Sequence, residues 1–347
     1  MSYAPLVALG LAAALSWSLM PLGIRIAWAV GWLDQPEARK LHAHATAVLG
    51  GAVVFASAVI AWGLTLTLVR MPHSPLDWEA WYLLAGAALT LAIGLWDDRF
   101  GMRPSVKMLG QAAAATMLLS TGLIPDLGLP VGIEAALTLV ALVALMNAVN
   151  FLDNMNGMVG GLAAIALTGF AWTSLERGAN GVAAAQLAIA GACAGFLPHN
   201  FPRARIFLGD AGSLFLGYSL GASALMTMMG AAPGWGRAGA LIILAYPAFD
   251  LIFVILTRLR DGRPVYQGGR DHTNHRLASV LKCPKNTVLL VWASGAALCA
   301  AGLSMLHLNR PLPTVLLWGL STILLCWSGL RLSSVPIDPR PAPPPPS

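Results

Sequence analysis

Eleven segments of this chain run for about twenty residues each almost without charge, the length at which an α-helix crosses a bilayer. They lie near 4–29, 47–69, 79–96, 105–122, 133–149, 159–175, 183–198, 212–230, 238–257, 287–306 and 313–331. A helix pairs its own backbone groups where no water can. The sequence therefore predicts an all-α polytopic membrane protein with about 11 transmembrane helices. Composition agrees: 57% of residues are hydrophobic and 10% charged, whereas soluble domains carry about 25% charged residues. The run 1–24 has no basic stretch ahead of it and reads as a first span, not as a cleaved signal.

Lys and Arg set the orientation. Loops after odd-numbered spans, together with the C-terminal tail, hold sixteen of the 21 basic residues; the opposite side holds Arg70, Arg177, Arg237 and Arg310, and Arg25 lies within the first span. Basic residues gather on the cytoplasmic side, which places the N-terminus outside and the C-terminus in the cytoplasm. The net charge of +6 follows from this bias and does not argue for nucleic acid. Cys193, Cys283, Cys299 and Cys326 lack paired spacing, so neither disulfides nor zinc is indicated. No internal repeat or soluble domain is visible. One transmembrane domain covers 1–332, and the Pro-rich tail 333–347 reads as extended or disordered.

Five polar clusters interrupt the apolar pattern, all in the odd-numbered, cytoplasmic loops. Asp97-Asp98 closes the third span, where the helix dipole is negative and two acids need a positive partner. That partner is either Arg99, Arg103 and Lys107 nearby or a divalent cation shared with phosphate oxygens. Asn150, Asp153 and Asn156 are spaced by three, which on one helical turn would align their oxygens on one face; the alternative is an Asx-rich turn. Asp210, in Gly209-Asp-Ala-Gly-Ser213, could cap the eighth span, bind metal, or do both. Asp271-His272-Thr273-Asn274-His275-Arg276 lies in the most basic loop, and its His and Arg side chains suit phosphate, although such a loop also attracts anionic lipid. Lys40 and His42 lie in the first loop. Asp250 stands apart, about 12 Å inside the ninth span, where a carboxylate faces the bundle or a wet cavity; Pro247 disturbs that helix.

Taken in order, these motifs resemble the polyprenyl-phosphate N-acetylhexosamine-1-phosphate transferases, a glycosyltransferase 4 family that includes undecaprenyl-phosphate GlcNAc-1-phosphate transferases. The resemblance runs from Asp34 to Leu277. It is carried by Asp34-x-Pro36-x-x-Arg39-Lys40-x-His42 before Gly50-Gly51, by Trp96-Asp97-Asp98, by Asn147-Ala-x-Asn150-x-x-Asp153, by Phe207-x-Gly-Asp210-x-Gly-Ser213 and by His272-x-Asn274-His275-Arg276-Leu277. Four departures stand out. Ala45-Thr46-Ala47-Val48 replaces Pro-Thr-Pro-Arg, Asn154 replaces a Gly, Asn156 replaces an Asp, and Asn274 replaces the middle His of the last motif.

The resemblance implies a UDP-N-acetylhexosamine donor, GlcNAc first among them, and a polyprenyl (undecaprenyl) phosphate acceptor. UMP would be released at the cytoplasmic face of a bacterial inner membrane, with membrane lipid as a partner and a homodimer left open. It implies catalytic roles for Asp97, Asp98, Asp153 and Asp210, with Mg²⁺ (or Mn²⁺) on Asp210, Asp98 and Asp153. It assigns substrate contacts to Lys40, His42, Asn150, Asn156, His272, Asn274, His275 and Arg276. The absence of a triple His, and eleven spans instead of ten, favour the N-acetylhexosamine branch over a phospho-MurNAc-pentapeptide transferase. A transporter would place its charges near the midplane and show matching broken helices. A CDP-alcohol phosphotransferase would carry a paired Asp-Gly pattern that this chain lacks.

Overall fold

Proline and glycine mark where the helices start and stop. The computed structural model describes residues 3–35, 45–69, 78–231, 234–264, 269 and 271–335. The first half comprises α1 (Ala4–Ala29), a two-residue antiparallel ribbon of β1 (Leu33–Asp34) and β2 (Thr46–Ala47), α2 (Gly50–Leu68), α3 (Trp78–Phe100), α4 (Pro104–Leu119) and α5 (Val131–Leu152). Then follow α6 (Met158–Glu176), α7 (Asn180–Asn200), α8 (Gly209–Gly230), a 3₁₀ turn at Trp235–Ala238, α9 (Gly239–Ile243), α10 (Ala245–Arg260), α11 (Thr273–Leu281), α12 (Pro284–Leu308) and α13 (Pro311–Ser333). Proline sits in the first turn of α1, α4, α12 and α13, where its missing N–H is not needed.

Two helices form the centre. The apolar windows of α8 and α7 are 89% and 83% buried, against 11% for α13. α7 packs against α1, α2 and α6, and α8 against α3 and α5. α13 therefore presents most of its apolar surface outward, as a lipid-facing helix does.

The span count differs from the eleven expected. Among the described residues, nine helices are long and apolar enough to cross a membrane, or ten if one bent pair forms a single span. The segment at 105–122 is a helix of 16 residues, about 24 Å long, shorter than a hydrocarbon core of about 30 Å. The expected ninth span is broken: α9 and α10 meet at Leu244 with a 70° bend. Pro247 explains the position of the break, since a proline ring collides with the carbonyl four residues earlier. Here that residue is Ile243, the last of α9. Span number therefore no longer bears on the choice between the two branches that the resemblance offers.

Among the described residues, four of the polar clusters are joined at one end of the bundle, by Asp98 to the backbone of Asp210, Asn150 to Asp210 and Asn274 to Asn154. The C-terminal ends of α3 and α5 meet the N-terminal ends of α4, α8 and α11. The ribbon is fastened there too: Phe207 N–H donates to the Ala47 carbonyl at 2.7 Å, and Gly50 and Gly51 N–H donate to the carbonyls of Phe207 and Leu208. Lys40, His42 and the chain beyond Val335 lie outside the described residues.

Candidate active site

Asp98 ends one helix and caps another. Its Oδ1 accepts from the backbone N–H of Asp210 at 2.8 Å and its Oδ2 from that of Ala211 at 3.0 Å. A carboxylate misplaced at the C-terminus of α3 thereby becomes well placed at the N-terminus of α8, where unpaired N–H groups and the dipole favour negative charge. Two glycines permit the approach. Gly209 has φ +75°, and a Cβ there would lie 2.6 Å from Asp98 Oδ2. A Cβ on Gly94 would meet the backbone of Asp210 and Ala211 at 2.4 Å. Of the readings offered for Asp210, capping its own helix is not the one the structure takes: Leu208 is the N-cap residue and Asp98 supplies the cap from α3. Asp98 thus caps α8 with one accepted bond on each oxygen, which leaves each a further lone pair.

Freed from capping, Asp210 turns toward a cation. Lys107 Nζ lies 2.5 Å from Asp210 Oδ2 and 2.8 Å from Asp97 Oδ2, and donates to Asn150 Oδ1 at 3.3 Å. Asn150 Nδ2 donates to Asp210 Oδ1 at 2.7 Å and to Ser213 Oγ at 2.8 Å. One turn along α4, Gln111 and Asn147 pair amide to amide, the shorter bond 2.6 Å, which fixes α4 against α5. The side chains of Asp97 and Lys107 are each 13% exposed and that of Asp210 35%, so Asp210 is the most accessible of the three. The short helix α4 thus serves as the carrier of Lys107. Sequence reading counted Lys107 only as a neighbouring charge. Its signal was its place on the first turn of a helix starting at Pro104. Arg99, another expected partner for the acids, instead donates to the Gly31 carbonyl at 2.9 Å and covers Trp32.

The aligned face expected for Asn150, Asp153 and Asn156 does not form, because α5 ends at Leu152 and the Asx-rich turn begins there. Asn156 donates to the Pro202 carbonyl at 3.1 Å, away from the acids, so its substrate contact is not supported. Asp153 is the C-cap residue of α5. Its carboxyl is pushed up to about 8 by desolvation and by the charges of Asp210 and Asp98. Asn154 continues toward α11, where Asn274 Nδ2 donates to its Oδ1 at 2.6 Å. Asn274 Oδ1 in turn accepts from His275 N–H at 2.8 Å.

The basic loop divides into two sets. Arg258 grips Asp271 with two bonds of 2.7 Å, and Arg263 adds a third contact at 3.1 Å. Burial would raise the Asp271 carboxyl, but the Arg258 guanidinium and then Arg263 hold it below the usual carboxylate range. Arg276, expected to clamp phosphate, is 2% exposed. It donates to the carbonyls of Leu332, Ser333 and Val335 and of Asp271, and lies over Phe253. In this structure Arg276 thus caps the C-terminal end of α13 and the residues just beyond it. His272 and His275 remain at the start of α11, their ring centroids 6.3 Å apart.

A cation fits the donors at the centre. Two carboxylate oxygens and an amide oxygen converge on the Lys107 ammonium, and Asp98 and Asp153 add two further acids to the same helix ends. Oxygen donors are the class that Mg²⁺ and Mn²⁺ take. Among the described residues, no three His, Cys, Asp or Glu side chains converge on one point, so ligands from phosphate oxygens would have to complete the shell.

Known proteins resemble this sequence over much of its length. The family model described as glycosyl transferase family 4 matches residues 80–228, a stretch that includes Asp97, Asp98, Lys107, Asp153 and Asp210. The probable undecaprenyl-phosphate N-acetylglucosaminyl 1-phosphate transferase of Bacillus subtilis is 31% identical over 289 residues, covering 80% of this chain and 78% of the relative. The decaprenyl-phosphate N-acetylglucosaminephosphotransferase of Mycolicibacterium smegmatis is 31% identical over 295 residues, with 76% and 72% covered. The undecaprenyl-phosphate alpha-N-acetylglucosaminyl 1-phosphate transferase of Escherichia coli K12 is 27% identical over 292 residues, with 80% and 77% covered.

Proposed function

Because the chain belongs to glycosyl transferase family 4, we propose that this multi-pass membrane enzyme transfers N-acetylglucosamine-1-phosphate from a UDP-sugar to a polyprenyl phosphate. An oxygen of the lipid phosphate forms a bond to the sugar-linked phosphorus, and the bond from that phosphorus to the UMP oxygen breaks. Such a transfer needs positioned charge more than covalent help. The observation that supports it best is the convergence of Asp97, Asp210 and Asn150 on Lys107, beside an α8 N-terminus already capped by Asp98.

The residues take separate roles in this reading. Lys107 pairs with phosphate oxygens when a substrate draws it from the acids. Asp97 orients the acceptor, whose phosphate is already largely dianionic at neutral pH. Asn150 holds Asp210 in place. His272 and His275 face the donor phosphates from α11, which the Asn274–Asn154 bond holds beside Asp153. Mg²⁺, which Asp210 would hold with Asp98 or Asp153, would neutralise the diphosphate and the departing UMP. The bias of basic residues supports a site that faces the cytoplasm of a bacterial inner membrane. Asp250, the one deep acid that a transporter reading could use, is bonded to the start of α11.

Membranes containing the protein, given polyprenyl phosphate and a panel of labelled UDP-sugars, should form a lipid-linked product from UDP-GlcNAc. EDTA should abolish the product and Mg²⁺ or Mn²⁺ restore it. Product formation undiminished in chelator, with no metal bound, would remove the metal from this reading; no product from any UDP-sugar would remove the reading itself.

A further inference from the structure

Asp250 is a buried acid that the reaction described above does not use. It lies in the second turn of α10, just beyond the bend at Leu244, and is 1% exposed. Its Oδ1 accepts from the backbone N–H of Thr273 at 2.8 Å and from the Thr273 hydroxyl at 2.6 Å. That hydroxyl also pairs with Tyr246 Oη at 3.2 Å, so Thr273 is held from two positions on α10. Asp250 Oδ2 lies 2.7 Å from Nδ1 of His272, the N-cap residue of α11. One carboxylate therefore caps α11 across a helix junction and engages the imidazole that opens it.

The consequence concerns the two nitrogens of His272. With Nδ1 turned to Asp250, Nε2 is the nitrogen left for a ligand, and it has no hydrogen-bond partner among the described residues. A buried carboxylate on one ring nitrogen fixes both the tautomer and the ring plane. The bend at Leu244 gives the arrangement its geometry. α10 leaves α9 at a 70° bend, and Asp250 on α10 reaches Thr273 and His272 at the start of α11.

We propose that Asp250 is a positioning residue for the transfer reaction: it holds His272 through a proton on Nδ1 and sets the ring plane so that Nε2, when it too carries a proton, donates to a substrate phosphate. This rests on the placement of His272 at the substrate described above, and the test separates the two. His272→Gln comes first and should lower turnover at least about 10-fold, the scale on which positioned polar contacts act. Wild-type turnover in that variant would remove His272 from the site, whatever Asp250 does.

Given that loss, Asp250→Asn should cost about 10- to 100-fold, as loss of an orienting partner does. It should cost nothing further in the His272→Gln background. Equal added losses in both backgrounds would make Asp250 a helix cap only and overturn the proposal, as would no loss in either. Nitrogen-15 spectra of ¹⁵N-histidine-labelled protein, with the His272 signals assigned by difference from His272→Gln, supply a readout that capping does not move. In the wild type Nδ1 should carry a proton, and in Asp250→Asn Nδ1 should lose it, because the new amide can donate to Nδ1. A wild-type His272 protonated on Nε2 alone would overturn the proposal even if Asp250→Asn failed to fold. Thr273→Val removes the hydroxyl cap but leaves the His272 bond, and should leave the tautomer unchanged; a changed tautomer would place its control in Thr273 and count against Asp250.

Discussion

Asn274 donates a 2.6 Å hydrogen bond to Asn154, and each of these residues departs from the family pattern that surrounds it. One stands where the resemblance expects a histidine, the other where it expects a glycine. Together they join the start of α11 to the turn after α5, next to Asp153. The two departures therefore work as one tie. A half-buried amide pair contributes about 1 kcal/mol, so Asn154→Ala and Asn274→Ala should each lower kcat/KM for the sugar nucleotide about fivefold. The double variant should be scarcely worse than either single one. Strictly multiplicative losses would show that the two side chains act independently.

Asp98 and Asp210 should separate in their effects. Asp210→Asn leaves the cap on α8 intact, because Asp98 supplies it. Membrane yield and melting temperature should stay near wild type while turnover falls at least about 100-fold, the scale of losing a group that stabilises transition-state charge. Asp98→Ala removes two acceptors from α8 and should cost about 1–2 kcal/mol of stability as well as activity, as lost caps do. Thermal unfolding in detergent beside a product assay distinguishes the two. A melting temperature lowered equally by both would mean that Asp210 shares the cap.

Gly209→Ala tests the joint between α3 and α8. The residue has φ +75°, which costs a non-glycine residue on the order of 1–3 kcal/mol where the surroundings enforce it. Its new Cβ would also lie 2.6 Å from Asp98 Oδ2. The expected outcome is a thermal destabilisation larger than that of Asp98→Ala, together with loss of turnover. Gly101 also has positive φ but has nothing within 4 Å of an added Cβ. Gly101→Ala should therefore show the conformational cost alone and keep its activity. Equal effects at both positions would show that contact with Asp98 contributes nothing.

Much of this was legible in the sequence because a membrane protein separates its chemistry from its bulk. Asp97, Asp98, Asp153 and Asp210 stood out against apolar runs, and the structure places them at one set of helix ends. Pro247 announced the break at Leu244, although not its angle. What the sequence left hidden had a common cause: residue type does not say which way a side chain turns. Arg276 reads as a phosphate ligand until α13 delivers its carbonyls to it. Lys107 reads as one of several flanking bases until α4 aims it between Asp97 and Asp210. Asn156 fits a helical spacing that stops mattering once the helix ends four residues earlier. The cap on α8 was invisible for a similar reason, since its donor and acceptor come from helices far apart in the chain.

The buried pair of Arg258 and Asp271 gives the fold a dependence on pH whose sign follows from its geometry. Asp271 is fully buried and Arg258 4% exposed, and the carboxyl is held below its ordinary range by the guanidinium against the opposing effect of burial. A carboxyl with a lowered folded value stabilises fully above its unfolded value, about 3.9, and loses that contribution as pH falls through the folded value. Removing one partner leaves the other charge buried, at a cost of about 3–5 kcal/mol. Asp271→Asn should therefore be destabilised by roughly that amount at neutral pH. The gap to wild type should narrow between about pH 4 and pH 2, measured as the midpoint of denaturant unfolding in detergent. Arg258→Met should follow the same course, since it breaks the same pair from the other side. Arg263 limits the loss in that variant, because it still reaches Asp271 at 3.1 Å. A gap that stayed constant into acid would mean that the carboxyl is already protonated in the folded protein.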